Sequence, residues 1–213
     1  LTYTDIDNAL ITNKTDVNSV ISDWAGAAVG RTPTSNYISI TGQRKSYDVT
    51  VDNIWTTARD SGDTISGIKV YSKNSQNFNV TLRLKGDNRL EHLFYSNSQT
   101  NSSLTITNGA KATDPVGSLT VIANQTTKLR TDATYYTGSL TYNHWDSVIG
   151  GYDGTDAVYR LNITGGVIYA GASELENCTA IGGGGNGHGQ ISISGTSTVV
   201  TAVTHSTGTA IGG

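Results

Sequence analysis

Leu161-Asn-Ile-Thr-Gly165 and Ile191-Ser-Ile-Ser-Gly195 stand thirty residues apart, as do Thr179-Ala-Ile-Gly-Gly183 and Thr209-Ala-Ile-Gly-Gly213. The first pair opens a unit, the second closes it, and both align without a gap. A fixed period of this size marks a stacked-repeat architecture, in which a unit cannot bury its apolar side alone and buries it against its neighbours. Within each unit the opening run alternates: Leu161 and Ile163, or Ile191 and Ile193, are apolar, and Asn162 or Ser192 lies between them. Period two is the pattern of a half-buried strand, and the β-branched and small polar residues that carry it suit a pleated surface.

Second strands follow at Val167-Ile-Tyr-Ala170 and Val199-Val-Thr-Ala-Val203, after the turn glycines Gly165 and Gly195. Helical repeats of similar period fail on composition, because no helix-forming periodicity appears and glycine falls every few residues. The expected fold is therefore all-β: a right-handed parallel β-helix, or β-solenoid, of about 30 residues per regular coil with an N-terminal cap.

The pattern extends upstream more loosely. Leu119-Thr-Val-Ile-Ala123 reads as the opening of a coil and Ser147-Val-Ile-Gly-Gly151 as its close, ten residues further apart than in the regular copies. The excess predicts an insertion within Gln125 to Asp146. Earlier alternating runs begin at Tyr37, Tyr47, Ile68, Val80 and Leu104, each followed by Gly, Asn, Asp or Ser. Residues 36–213 thus read as one solenoid, and residues 1–35 as a cap. In that segment Ile6, Leu10, Val17, Val20, Ile21 and Trp24 fall at roughly helical spacing, so an amphipathic helix or a short strand is expected to cover the first coil. The chain stops on Gly213 in mid-repeat, which suggests a piece of a larger multidomain protein whose stack continues.

Composition narrows the partners. Hydrophobic residues make up 36% of the chain, enough for a core that is a thin column filled by a few inward side chains per coil. The net charge of −3 and the lack of any Lys/Arg-rich run argue against nucleic acid. No apolar stretch reaches the length of a membrane span. Cys178 is the only cysteine, so no disulfide forms within the chain; aligned with Gly208, it reads as a small residue packed in the stack.

The Ile-Ser-Ile-Ser-Gly and Thr-Ala-Ile-Gly-Gly grammar of Leu161 to Gly213 resembles the glycine-rich β-helical repeats of large cell-surface proteins of Gram-positive bacteria, which are carbohydrate-binding or adhesin-like. The resemblance covers about a quarter of the chain. It implies a secreted or cell-wall-attached, extracellular location and a glycan or host-matrix surface as partner. It transfers no binding residue, because the shared motif holds only strand and turn positions.

Five stretches are candidates for chemistry. Tyr135, Tyr136, Tyr142, His144 and Trp145 crowd the predicted insertion of a chain with only 8% aromatics. Rings of this kind stack on the apolar C–H faces of sugars, and they also serve to staple an insertion onto a core. Asp146, Asp153 and Asp156, in a glycine-containing loop, offer oxygen ligands for calcium; turn chemistry asks for the same residues, and no other cofactor is expected. Asp60 and Asp63 have a similar spacing. Gly187-His188-Gly189 is similar to the Gly-His-Gly of polygalacturonase-type β-helices, but the paired aspartates that cleave a glycosidic bond have no counterpart upstream and no Arg or Lys follows Arg160. Arg89-Leu-Glu91-His92-Leu-Phe-Tyr95 reads as a solvated turn entering a buried strand.

The expectation is a non-catalytic adhesin or glycan-binding module, not an enzyme. Two alternatives remain open: a polysaccharide-degrading β-helix enzyme, by fold analogy alone, and a rigid spacer or fibre segment. Ice binding would need persistent Thr-x-Thr ranks, and Thr196-Ser-Thr198 stands without one in the preceding coil.

Overall fold

The computed structural model describes residues 2–3, 9–11, 18–22, 37–42, 46–56, 67–72, 78–90, 92–96, 102–109, 111, 113–122, 147–151, 160–172, 178–183 and 189–212. Among them every regular element is a strand. In chain order these are β1 (Thr2–Tyr3), β2 (Ala9–Ile11), β3 (Asn18–Ser22), β4 (Tyr37–Gly42), β5 (Ser46–Asp52), β6 (Gly67–Ser72), β7 (Asn79–Lys85), β8 (Asp87–Leu90) and β9 (Leu93–Ser96). There follow β10 (Ser103–Asn108), β11 (Ser118–Ile122), β12 (Ser147–Gly150), β13 (Arg160–Ile163), β14 (Gly166–Ala172), β15 (Thr179–Gly182), β16 (Gln190–Ile193), β17 (Thr198–Thr204) and β18 (Ile211–Gly212). No helix among the described residues is long and apolar enough to cross a membrane.

The strands form three sheets. The first is ordered β1-β3-β5-β7-β10-β13-β16, the second β8-β11-β14-β17, and the third β2-β4-β6-β9-β12-β15-β18. Neighbours in each sheet pair in parallel, for example β5 with β7, β11 with β14 and β4 with β6. From β7 onward the chain visits the first, second and third sheets in turn and lays each circuit beside the last. One circuit earlier the second sheet begins as a single parallel bridge, Trp55 to Arg89. The fold is thus all-β and built from stacked parallel sheets, consistent with the solenoid reading. Strands β1 to β3 come from the first thirty-five residues and pair within the first and third sheets, so stacking starts ahead of Tyr37.

Alternation dictates the packing. In the first sheet Tyr47, Val80, Leu104 and Leu161 form one inward column, continued by the half-buried Ile191. In the third sheet Ile38, Ile68, Leu93, Ile149 and Ile181 form another, fully buried, ending at Ile211. Leu119 and Ile168 lead to Val200 in the second. Each fully buried aliphatic side chain contributes about 1.5–3 kcal/mol through area removed from water, so these columns are the main source of stability. Cys178 joins this core, with Gly208 lying close over its carbonyl as their sequence alignment implied.

The thirty-residue repeat becomes a thirty-residue register. Leu161 pairs with Ile191 in the first sheet and Ile181 with Ile211 in the third. The second sheet departs by two residues, since Val167 pairs with Val199. The opening assigned to Leu119 is corrected. Leu161 is matched by Leu104, and Leu119 pairs with Ile168, so Leu119 begins the second strand of its circuit. Period two reads the same on all three sheets, and the pattern alone does not say which sheet a strand joins. With the register corrected, seventeen extra residues fall between β11 and β12, against ten expected. Eight more fall between β10 and β11.

Two corners differ in how they turn. At the end of β12, β15 and β18, Gly150, Gly182 and Gly212 have φ of +137°, +152° and +142°. A Cβ on Gly182 would stand 1.5 Å from the Gly212 carbonyl oxygen, so the close approach of successive circuits requires glycine. Between the first and second sheets, Asn53 (φ 53°) lies on Gly86 (φ +66°). Asparagine tolerates this left-handed conformation, and its Oδ1 accepts a 3.0 Å bond from Asp87 N. Inside that corner Asn88 is fully buried. Its Oδ1 accepts from Ile54 N (3.2 Å), and its Nδ2 donates to the carbonyls of Lys85 and Ser118 (3.0 Å each), joining three successive circuits.

Candidate ligand-binding face

The side chains that point away from the core divide the described surface into two unlike faces. On the first sheet the outward columns are polar from β5 onward. One runs Asp48, Thr81, Thr105, Asn162, Ser192, and its neighbour runs Thr50, Arg83, Thr107. Arg83 Nε donates to both oxygens of Asp48 (2.8 and 3.0 Å), and Lys85 Nζ lies 3.0 Å from Asp52. These pairs tie β5 to β7 at the surface.

The second sheet presents something different. Its outward columns are Asp87, Ser118, Val167, Val199 and, beside it, Trp55, Arg89, Thr120, Tyr169, Thr201. Four large hydrophobic side chains on or bordering this face are markedly exposed: Val116 (50%), Ile122 (43%), Val167 (45%) and Val199 (54%). Tyr169 is half-buried because its ring lies across Gly171. A Cβ there would meet Tyr169 Cε1 at 2.9 Å and Ile122 Cγ1 at 3.6 Å. At the other end of the column the Arg89 guanidinium sits 5.5 Å from the centroid of the Trp55 ring. Asp87 holds Arg89 from the side, with Oδ2 accepting from Nε (3.1 Å) and Nη2 (2.9 Å), and Asp87 Oδ1 accepts from Ser118 Oγ at 2.7 Å. The cation and the carboxylate neutralise each other, and both remain about half exposed.

This face offers rings and aliphatic groups for stacking, with hydroxyl, carboxylate and guanidinium groups at intervals for hydrogen bonds. Asp48, Asp52 and Asp87 are each engaged with a cation. Among the described residues no group of three or more His, Cys, Asp or Glu side chains is placed to hold a metal ion.

The expected site residues Tyr135, Tyr136, Tyr142, His144 and Trp145, and the expected calcium ligands Asp146, Asp153 and Asp156, lie outside the described residues, as do Asp60, Asp63, Glu91 and His188. The described chain leaves the second sheet at Ile122 and re-enters the third at Ser147, on either side of the aromatic stretch. Around Arg89 the expectation holds for the buried strand, where Leu93 and Phe94 are buried and His92 stacks on Phe94 at 4.5 Å, and is corrected for the turn: Arg89 is exposed but lies with the buried Leu90 in strand β8, paired with β11. Burial pushes the Tyr95 phenol well above its ordinary value. No hydrogen bond closes at Tyr95 Oη among the described residues, and Ser102 Oγ accepts instead from Phe78 N (2.9 Å).

Sequence reasoning missed Trp55 and Tyr169. The signal for Tyr169 was present, since alternation with inward Ile168 and Ala170 turns Val167 and Tyr169 outward. Trp55 reaches the same column only through its bridge to Arg89, which no repeat announces. Comparison of the chain with family models, with curated proteins and with solved structures finds no match.

Proposed function

We propose that this chain is a non-catalytic surface module that holds a glycan or a host-matrix polymer against its side. In this reading the three sheets close into a right-handed parallel β-helix, the handedness of nearly all parallel crossovers, and the stack is one part of a larger secreted or cell-wall-attached protein. The observation that carries the reading is the outward face of the second sheet, where exposed apolar groups and a ring lie among hydrogen-bonding side chains, while the outward positions of the first sheet from β5 to β16 named above are polar. A contiguous patch of exposed apolar groups rimmed by polar ones marks a contact surface. A flat face on a stiff stack binds weakly at one site and gains strength from many copies on one surface. The aromatic stretch Tyr135 to Trp145 belongs to the same proposal, and calcium enters it through Asp146, Asp153 and Asp156.

The test is a glycan array and a host-matrix panel probed with the full chain, once with calcium and once with chelator. Binding above background supports the module. Calcium dependence brings in Asp153 and Asp156. Silence in both conditions sinks the reading and transfers its weight to a rigid spacer, which the unbroken core columns favour because they make the stack stiff.

A further inference from the structure

We propose that the outward face of the second sheet is the binding site for an extended neutral glycan, laid across successive circuits from Arg89 over Thr120 to Tyr169. The inference rests on the module reading and gives it a place and a ligand class. Neighbouring strands lie about 4.8 Å apart, so Arg89 and Tyr169, two strands from each other, are separated by about 10 Å. That is the length of a disaccharide, with the Thr120 hydroxyl between the two ends.

Each part has a role. The Tyr169 ring is held across the sheet by the gap that Gly171 leaves, and its side turned away from Gly171 is a platform for the C–H face of a sugar ring. Trp55 and Asp87 are positioning residues, fixing the Arg89 guanidinium against the indole and against a carboxylate. Arg89 then presents donors, and Asp87 and Ser118 present acceptors, which suits hydroxyl groups that both give and take hydrogen bonds. Because the charges on Arg89 and Asp87 cancel, the site favours a neutral polymer over a uronic or sulfated one. A peptide strand is disfavoured, because within β11 and β14 the main-chain groups already pair with strands on both sides, and none is left on the face to extend the sheet.

The experiment titrates the intact chain with hexasaccharides of β-linked glucose, mannose and N-acetylglucosamine, and with polygalacturonate and heparan sulfate. Collagen and fibronectin serve as polypeptide probes. Tyr169→Ala should weaken binding of a neutral hexasaccharide about tenfold, the size of a lost ring contact. Thr120→Glu, at an outward position of β11, should weaken it at least as much. Ser192→Glu on the first sheet should leave it unchanged. Melting curves of the parent and of every variant, Trp145→Ala included, separate lost binding from lost folding.

Neutral-glycan binding that survives both Tyr169→Ala and Thr120→Glu but disappears in Trp145→Ala overturns this site and leaves the module reading standing. Binding confined to the acidic polymers, or to collagen or fibronectin, overturns the ligand class. No binding to any probe, on the array or in titration, overturns the module reading and this inference together.

Discussion

The last two circuits and the middle ones solve the same stacking problem by different means. In β13 to β18 the register advances by thirty residues in the first and third sheets, and between β15 and β18 the third-sheet corner is closed by main chain: Ala180 N donates to Thr209 O at 2.9 Å and Gly183 N to Gly212 O at 3.1 Å, whereas one circuit earlier the buried Ser147 Oγ donates to Gly151 O and Gly182 O. Between β5 and β10 the advance is 33 and then 24 residues. There the corners are filled by side chains, among them Asn53, Asn88 and Ser102. Where successive circuits have equal length, glycine allows backbone to meet backbone. Where they differ, a buried polar side chain takes up the mismatch by supplying the donor or acceptor the displaced backbone no longer reaches. Regularity is therefore read in glycines and irregularity in internal amides and hydroxyls.

The hardest blow to the regular half is Gly182→Ala. The new methyl would stand 1.5 Å from Gly212 O at a φ of +152°, a conformation that L side chains rarely adopt. We expect a loss of about 4 kcal/mol or more, at the exceptional end for one substitution. In a stacked protein each unit leans only on its neighbours, so the damage should be local: hydrogen exchange should accelerate in β15 and β18 and much less in β5 and β7. Parent-like exchange in β15 would show that this corner does not depend on glycine.

The matching blow to the irregular half is Asn88→Ala. It strips the side-chain partner from Ile54 N and one hydrogen bond each from the carbonyls of Lys85, which keeps Asn53 N, and Ser118, at a fully buried site. The expected cost is about 3 kcal/mol, read from denaturant unfolding. Asn88→Leu sharpens the contrast. It restores volume in a column whose next member is Leu119 but restores no hydrogen bond. If the leucine variant were as stable as the parent, packing and not hydrogen bonding would be what the irregular corner needs.

The same contrast explains what the sequence disclosed. Leu161 and Ile191 are literal repeats, and their register follows from counting. Leu104-Thr-Ile-Thr107 carries the same alternation as Leu161-Asn-Ile-Thr164, yet the eight extra residues before β11 made Leu119 look like its equal. Nothing in a strand pattern names its sheet, and nothing at Asn88 announces that one amide joins three circuits. The binding face was half legible: alternation turns Val167, Tyr169 and Val199 outward, whereas the meeting of Trp55 with Arg89 depends on a 34-residue advance that no repeat encodes.

Tyr95 tests the middle circuits through pH. Its buried phenol stays protonated in the folded chain well above the ordinary 10.0, while the unfolded chain releases that proton near it. Above 10.0 the unfolded state therefore binds fewer protons, and stability falls as pH rises. Tyr95→Phe removes this loss. At pH 7 the variant should lie within about 1 kcal/mol of the parent, because the hydroxyl it deletes closes no hydrogen bond among the described residues. Unfolding midpoints from pH 9 to 11 should then decline less steeply in the variant, and parallel curves would mean that Tyr95 ionises in both states alike.

The smallest effect belongs to the surface. Arg83→Ala removes a two-pronged contact with Asp48 that ties β5 to β7, but both side chains are about a third exposed, at 27% and 33%. Such pairs contribute up to about 1 kcal/mol, because water screens the charges and holding two side chains in one geometry costs entropy. The difference from the parent should shrink further between low and high salt. A loss as large as that of Asn88→Ala would break the comparison at its root, since the irregular circuits would then be held from outside by charge and not from inside by the amide that links them.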